Sequence, residues 1–242
     1  MLAQRCPNDY DGIVAGAPAL YWTELFPYIY WPQQIMNALG QHPYTCELEA
    51  ITVEAIAICD GLDGVTDGII SRVDTCLDVF DPFSAVGKII KCAEKNGEQV
   101  RISKAAAVVA AATWQGVVDP NGKLLYHGIA PGAKLSGKIS SIAATKCTET
   151  GCVGSPLSLG HQWLQLFASK DPEKDLTKMS RDEYYSLAHI AAQQFKSTMD
   201  TSDPDLTKFR DAGGKLITCH GLVSPATPTP LRTSNPHVGY HW

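Results

Sequence analysis

The stretch Cys59-Asp60-Gly61-Leu62-Asp63-Gly64-Val65-Thr66-Asp67-Gly68-Ile69-Ile70 sets three carboxylates at short, uneven spacing, each followed by a glycine. Glycine at that density opposes a helix or strand interior, so the segment is expected to be a loop wrapping a hard cation. Oxygen-only ligands in flexible geometry suit calcium, whereas magnesium keeps more of its water and zinc calls for His or Cys. An EF-hand is excluded, because its twelfth position needs a bidentate Glu and counting from Asp60 gives Ser71. The expected ligands are the carboxylates of Asp60, Asp63 and Asp67 and the carbonyls of Val65 and Ile69. The plainer alternative is an Asp-Gly surface turn that binds nothing.

Other reactive side chains have poorer settings. Among the seven histidines only His237 and His241, in the proline-rich tail, stand i, i+4 apart, and none lies beside a Cys-x-x-Cys, so zinc is not expected. His220 follows a short apolar run and is expected to bond nearby backbone rather than act as a base. The closest approach to a nucleophile elbow is Pro156-Leu157-Ser158-Leu159-Gly160, whose first position is proline where a tight turn wants glycine. The aromatic run Tyr21, Trp22, Phe26, Tyr28, Tyr30 and Trp31 could stack on an aromatic ligand, but its size argues first for burial.

The elements that must position these groups are punctuated clearly. Tyr10 to Pro18 and Gly213 to Gly221 are short apolar runs bounded by glycine, as buried parallel strands would be. A helical turn precedes Pro7, and a helix from Pro204 to Ala212, capped by Asp203, precedes the second run. Between the runs lies a mostly helical excursion: Thr45 can cap a helix to Ile58, Ser103 one from Lys104 to Gln115, and Ser180 with Glu183 opens one to about Lys196. Val117 to Tyr126 should turn as a hairpin on Asn121-Gly122, and Asp171 to Lys178 reads as a solvated connector. The tail from Pro225 has no periodic apolar pattern and is expected to be poorly ordered.

Eight cysteines in 242 residues, at no zinc spacing, point to an oxidising compartment. Cys59 and Cys76 would staple the acidic loop, Cys147 and Cys152 would close a small one, Cys46 and Cys92 are the next pair, and Cys6 and Cys219 could be buried thiols; spacing alone leaves these pairings open. Met1 to Arg5 does not have the make-up of a signal peptide. A net charge of -5 without a Lys/Arg run argues against nucleic acid or an anionic membrane as partner, and no apolar stretch reaches membrane-spanning length.

The opening run Met1-Leu2-Ala3-Gln4-Arg5 with Pro7, Asp9 and Asp11 to Pro18, then the acidic loop, then Lys215-Leu216-Ile217-Thr218 and His220-Gly221-Leu222 together resemble the fungal tannase and feruloyl esterase family over roughly residues 1–222. The resemblance implies a partial α/β-hydrolase fold with a large, mainly helical lid insertion carrying a structural calcium. On that reading 1–19 is a piece of hydrolase core, 20–199 the lid with its calcium loop at 59–70, 200–222 the return to the core, and 223–242 a disordered or non-homologous tail. It further implies a secreted serine-type carboxylic ester hydrolase that acts on small phenolic esters or polymer-linked phenolic acids through an acyl-enzyme.

The departures from the family pattern matter as much. No Cys-Ser-x-Gly-Gly nucleophile segment is present, the family's catalytic acid falls on Ser224, and no counterpart of its histidine follows. A hydroxyl cannot stabilise an imidazolium as a carboxylate does, so the chain alone is expected to be inactive. The match fades abruptly after Leu222, which suggests an incomplete reading frame rather than a decayed gene. The competing expectation is a non-catalytic, calcium-stabilised binding or structural module.

Overall fold

The computed structural model describes residues 1–137, 141–148 and 150–221. In chain order the elements are α1 (Leu2–Arg5), β1 (Gly12–Gly16), α2 (Trp22–Leu39), α3 (Thr45–Cys59), α4 (Val73–Val79), β2 (Ile89–Lys91), β3 (Gln99–Arg101), α5 (Lys104–Gln115), β4 (Gly116–Val118), β5 (Leu124–His127), β6 (Thr145–Thr148), β7 (Gly151–Gly154), α6 (Ser158–Gln162), α7 (Arg181–Met199), α8 (Thr207–Asp211) and β8 (Lys215–Cys219). Among the described residues four two-stranded sheets decorate a helical body: β2–β3, β4–β5 and β6–β7 are antiparallel, and β1–β8 is parallel.

The parallel pair joins the two ends of the excursion. Gly12 lies opposite Lys215 and Gly16 opposite Cys219, so residues far apart in sequence share one ribbon. The expectation that both runs are buried is corrected, however. Val14 is 76% exposed and its register partner Ile217 is 65% exposed. Among the described residues each strand pairs only with the other, and nothing covers the face these two side chains share.

The core is organised by α2, which touches α5, α6 and α7 and lies beside β4 and β5. Nearly every residue from Thr23 to Met36 is buried, as expected of a helix that is apolar all round. Pro27 and Pro32 lie inside it, and each removes an N–H and so frees a carbonyl one turn back. Packing holds the helix in spite of them. Phe26 stacks on Trp163 at 5.4 Å, Trp31 meets Tyr184 at 5.2 Å, and the Tyr184 hydroxyl donates to the Pro27 carbonyl. The aromatic run is therefore core for Phe26, Tyr28, Tyr30 and Trp31, while Tyr21 remains exposed.

Local signals set most of the other helices. Ser103 Oγ accepts from Ala106 N at the start of α5, and Gly116, at φ +91°, ends it. Ser180 Oγ accepts from Glu183 N at the start of α7. The cap of α3 falls one residue earlier than expected, on Tyr44, whose N–H donates to Glu47 Oε1. α8 is shorter than the expected Pro204–Ala212, because Asp203 and Asp205 spend their carboxylates on turns that accept from Asp205 N and Thr207 N. The connector at 171–178 is anchored rather than merely solvated, since Leu176 is buried and Lys174 pairs with Glu183. Among the described residues no helix is long and apolar enough to cross a membrane.

Candidate functional site

The acidic loop begins where α3 stops. Residues Asp60–Asp63 form one 3-10 turn, ended by Gly64 at φ +92°, and Gly68 supplies a second left-handed position at φ +81°. Asp60 is only 7% exposed, and its Oδ1 accepts from the N–H groups of Asp67 and Gly68 at 3.2 and 3.0 Å, so it ties the far side of the loop to the helix end. Asp63 accepts from Val65 N at 2.9 Å and Asp67 from Ile69 N at 3.0 Å. The Val65 N–H first, and then the Ser71 side chain, hold the Asp63 carboxyl below the ordinary carboxylate range. A disulfide between Cys59 and Cys76 closes the base, and Ile70, at the end of the loop, is buried.

The donor set suits a hard cation in kind: three carboxylates and the carbonyls of Val65 and Ile69 within ten residues, with no soft ligand among them. The acids are not gathered into one cage. Among the described residues the one grouping of at least three His, Cys, Asp or Glu ligand atoms within 4.8 Å of one another is Cys46, Cys92 and Glu94, whose two cysteines are already bonded to each other. An ion at the loop would have to draw the aspartates together.

The three expected disulfides are present: Cys46–Cys92, Cys59–Cys76 and Cys147–Cys152. Cys6 and Cys219 are free, but neither is buried; Cys6 is half-buried and Cys219 lies on the exposed face of β8.

The candidate catalytic positions do not converge. Ser158 is exposed at the first residue of α6. Gly160, which gave that segment its faint elbow character, serves packing: a Cβ there would stand 2.9 Å from the Phe26 carbonyl and from Ile29. His220 places Nδ1 3.0 Å from the Gly221 carbonyl, as expected of a backbone-bonded ring. His161 packs edge-on against Tyr30, and burial lowers the pKa of His42, which faces Asn37 Oδ1. None of these three settings is that of a base beside a nucleophilic hydroxyl. Ser224 and the tail histidines His237 and His241 lie outside the described residues.

Sequence reasoning missed two buried carboxylates that join elements. Glu47 is 4% exposed; its Oε1 accepts from Tyr44 N and its Oε2 from Ser103 N, which links the starts of α3 and α5. Asp200 accepts from both the N–H and the hydroxyl of Thr23, which links the end of α7 to the start of α2. A glutamate at the third helical position was a visible signal for the first contact, but its long-range partner left no trace in the sequence.

A family model described as tannase and feruloyl esterase matches residues 1–234. The chain belongs to this family. Within the tannase and feruloyl esterase family it is 34% identical, over 91% of its length, to a probable feruloyl esterase of Arthroderma benhamiae, 40% of which is covered. It is 26% identical, over 93% of its length, to a tannase of Aspergillus oryzae, 43% of which is covered. The solved tannin acyl hydrolase from Aspergillus niger superposes with a TM-score of 0.82 at 30% identity, over 94% of this chain and 42% of that one. The chain thus spans about two-fifths of the length of the family members it matches.

Proposed function

We propose that this chain is part of a secreted, serine-type carboxylic ester hydrolase for phenolic esters, feruloyl or galloyl. The observation that carries the proposal is the family match across residues 1–234. The parallel pairing of β1 with β8 supports it, because it fits two returns to an α/β-hydrolase core, 1–19 and 200–222, on either side of a lid at 20–199. In the reaction class a serine hydroxyl attacks the ester carbonyl, a histidine takes and returns the proton, and a carboxylate orients the histidine. The described settings of His42, His161 and His220 do not place a ring beside a serine hydroxyl, and on the family pattern the acid's position falls on Ser224.

The purified chain is therefore expected to hydrolyse methyl ferulate and methyl gallate no faster than its Ser158→Ala variant. Turnover that falls in the variant would locate a nucleophile at Ser158 and overturn the assignment of this chain as incomplete. Absence of turnover combined with tight phenolic-acid binding would favour the alternative, a non-catalytic binding module.

Calcium is proposed as a structural ion of the loop, held by the carboxylates of Asp60, Asp63 and Asp67 and the carbonyls of Val65 and Ile69. Its contribution would be to neutralise three acids confined to eight residues and so stabilise the turn at the end of α3. Thermal unfolding followed by circular dichroism should shift upward with added calcium after chelation, and the shift should shrink in Asp63→Asn. A melting temperature indifferent to calcium in both proteins would remove the ion from the account.

A further inference from the structure

The hairpin β6–β7 is pinned at its root and clipped at its tip. At the root, Gln33 Nε2 donates to the carbonyls of Ile142 and Ala144, and Thr145 Oγ1 donates to the Pro43 carbonyl. Gly154 lies so close to α2 that a Cβ on it would stand 2.5 Å from Gln33 Oε1 and 3.4 Å from His42 Nε2. At the tip, Cys147 and Cys152 are direct register partners, five residues apart, joined by a disulfide.

The three disulfides differ in what a dissolved thiol can reach. Cys59 and Cys76 are both buried, and in the Cys46–Cys92 bond only Cys46 is partly exposed while its partner Cys92 is fully buried, whereas Cys147–Cys152 joins two partly exposed cysteines. Both Cys147 and Cys152 are half-exposed, next to exposed Lys146 and Val153. Exchange needs a thiolate to approach a sulfur along the bond axis, so access decides which bond reacts. The positive Lys146 favours an anionic thiolate nearby. The short ladder also holds the two sulfurs opposite each other after cleavage, so the bond can close again readily.

We propose that Cys147–Cys152 is a reversible thiol-exchange site for small thiols. A thiolate attacks one of the two sulfurs, forming a mixed disulfide and releasing the other cysteine as a thiolate that takes a proton. A second thiol then resolves the mixed disulfide. The net change is two thiols oxidised to one disulfide and the protein bond reduced to two cysteines. Because the root contacts do not involve these sulfurs, opening loosens the tip and leaves the helical body in place.

The test begins with the native, folded chain. Its free Cys6 and Cys219 are first blocked with N-ethylmaleimide, the protein is exposed to graded dithiothreitol, and new thiols are capped with iodoacetamide and located by peptide mass spectrometry. Cys147 and Cys152 should take the second label at reductant concentrations that leave Cys46, Cys59, Cys76 and Cys92 unlabelled. Amide exchange should rise in residues 145–154 and stay unchanged in α2 and α5. A Cys147→Ser/Cys152→Ser variant should keep the wild-type far-ultraviolet spectrum and show the fast exchange without reductant. Labelling of the other pairs first or together with this one, or no labelling short of global unfolding, would overturn the proposal.

Discussion

Replacing Glu47 with alanine is expected to lower the melting temperature by roughly 6–12 °C, equivalent to about 3 kcal/mol for a chain of this size. The carboxylate is 4% exposed and accepts two backbone hydrogen bonds, from Tyr44 N at 2.9 Å and from Ser103 N at 2.6 Å. Both donors belong to helix starts, where N–H groups lack intrahelical partners and a negative charge meets the positive end of the helix dipole. Alanine leaves both donors unsatisfied and opens the junction of α3 with α5. Glutamine should rescue only part of the loss, since its amide can accept one of the two bonds and would set its own N–H groups against the other donor. The control is Glu49→Ala, on the exposed side of the same helix, which should stay within about 0.5 kcal/mol of wild type. If Glu47→Ala melted together with Glu49→Ala, the two-helix link would have no energetic weight.

Glu47 also illustrates what could be read from the sequence and what could not. Signals confined to a few residues survived: the Ser103 cap and Gly116 stop of α5, the Ser180 cap of α7, the Asn121-Gly122 hairpin and the three disulfides. α2 was not delimited, because Pro27 and Pro32 argue locally against a helix that tertiary packing sustains. The strands at Gly12–Gly16 and Lys215–Cys219 were recognised and their parallel pairing is real, but their apolar composition implied cover that the described residues do not provide. For the acidic loop, sequence gave the donor types and the closing disulfide. It could not give the backbone bonds of Asp60, which link residues seven and eight positions apart.

Gly128→Ala is expected to be strongly destabilising, at about 3 kcal/mol or more, the upper end of what overpacking usually costs. Gly128 follows β5 and is buried against the last turn of α5. A Cβ there would stand 2.1 Å from the Trp114 carbonyl oxygen, 2.3 Å from the Trp114 carbonyl carbon and 2.5 Å from the Thr113 carbonyl oxygen. All three obstacles are backbone, so no side chain can rotate away; the strand must leave the helix. The Tyr28 hydroxyl spans the same crossing, donating to the Thr113 carbonyl at 3.1 Å and accepting from Ile129 N at 2.9 Å. Separation by the alanine would break one or both of these bonds and loosen the fully buried Trp114. Tyr28→Phe alone should lose about 1–3 kcal/mol, because it leaves the buried Ile129 N–H without its acceptor. Since both changes strike one crossing, their effects in the double variant should fall short of the sum. Urea unfolding of the four proteins measures this directly: strict additivity would mean that the tyrosine and the glycine act independently, and a Gly128→Ala midpoint equal to wild type would mean that β5 does not rest on the α5 backbone at all.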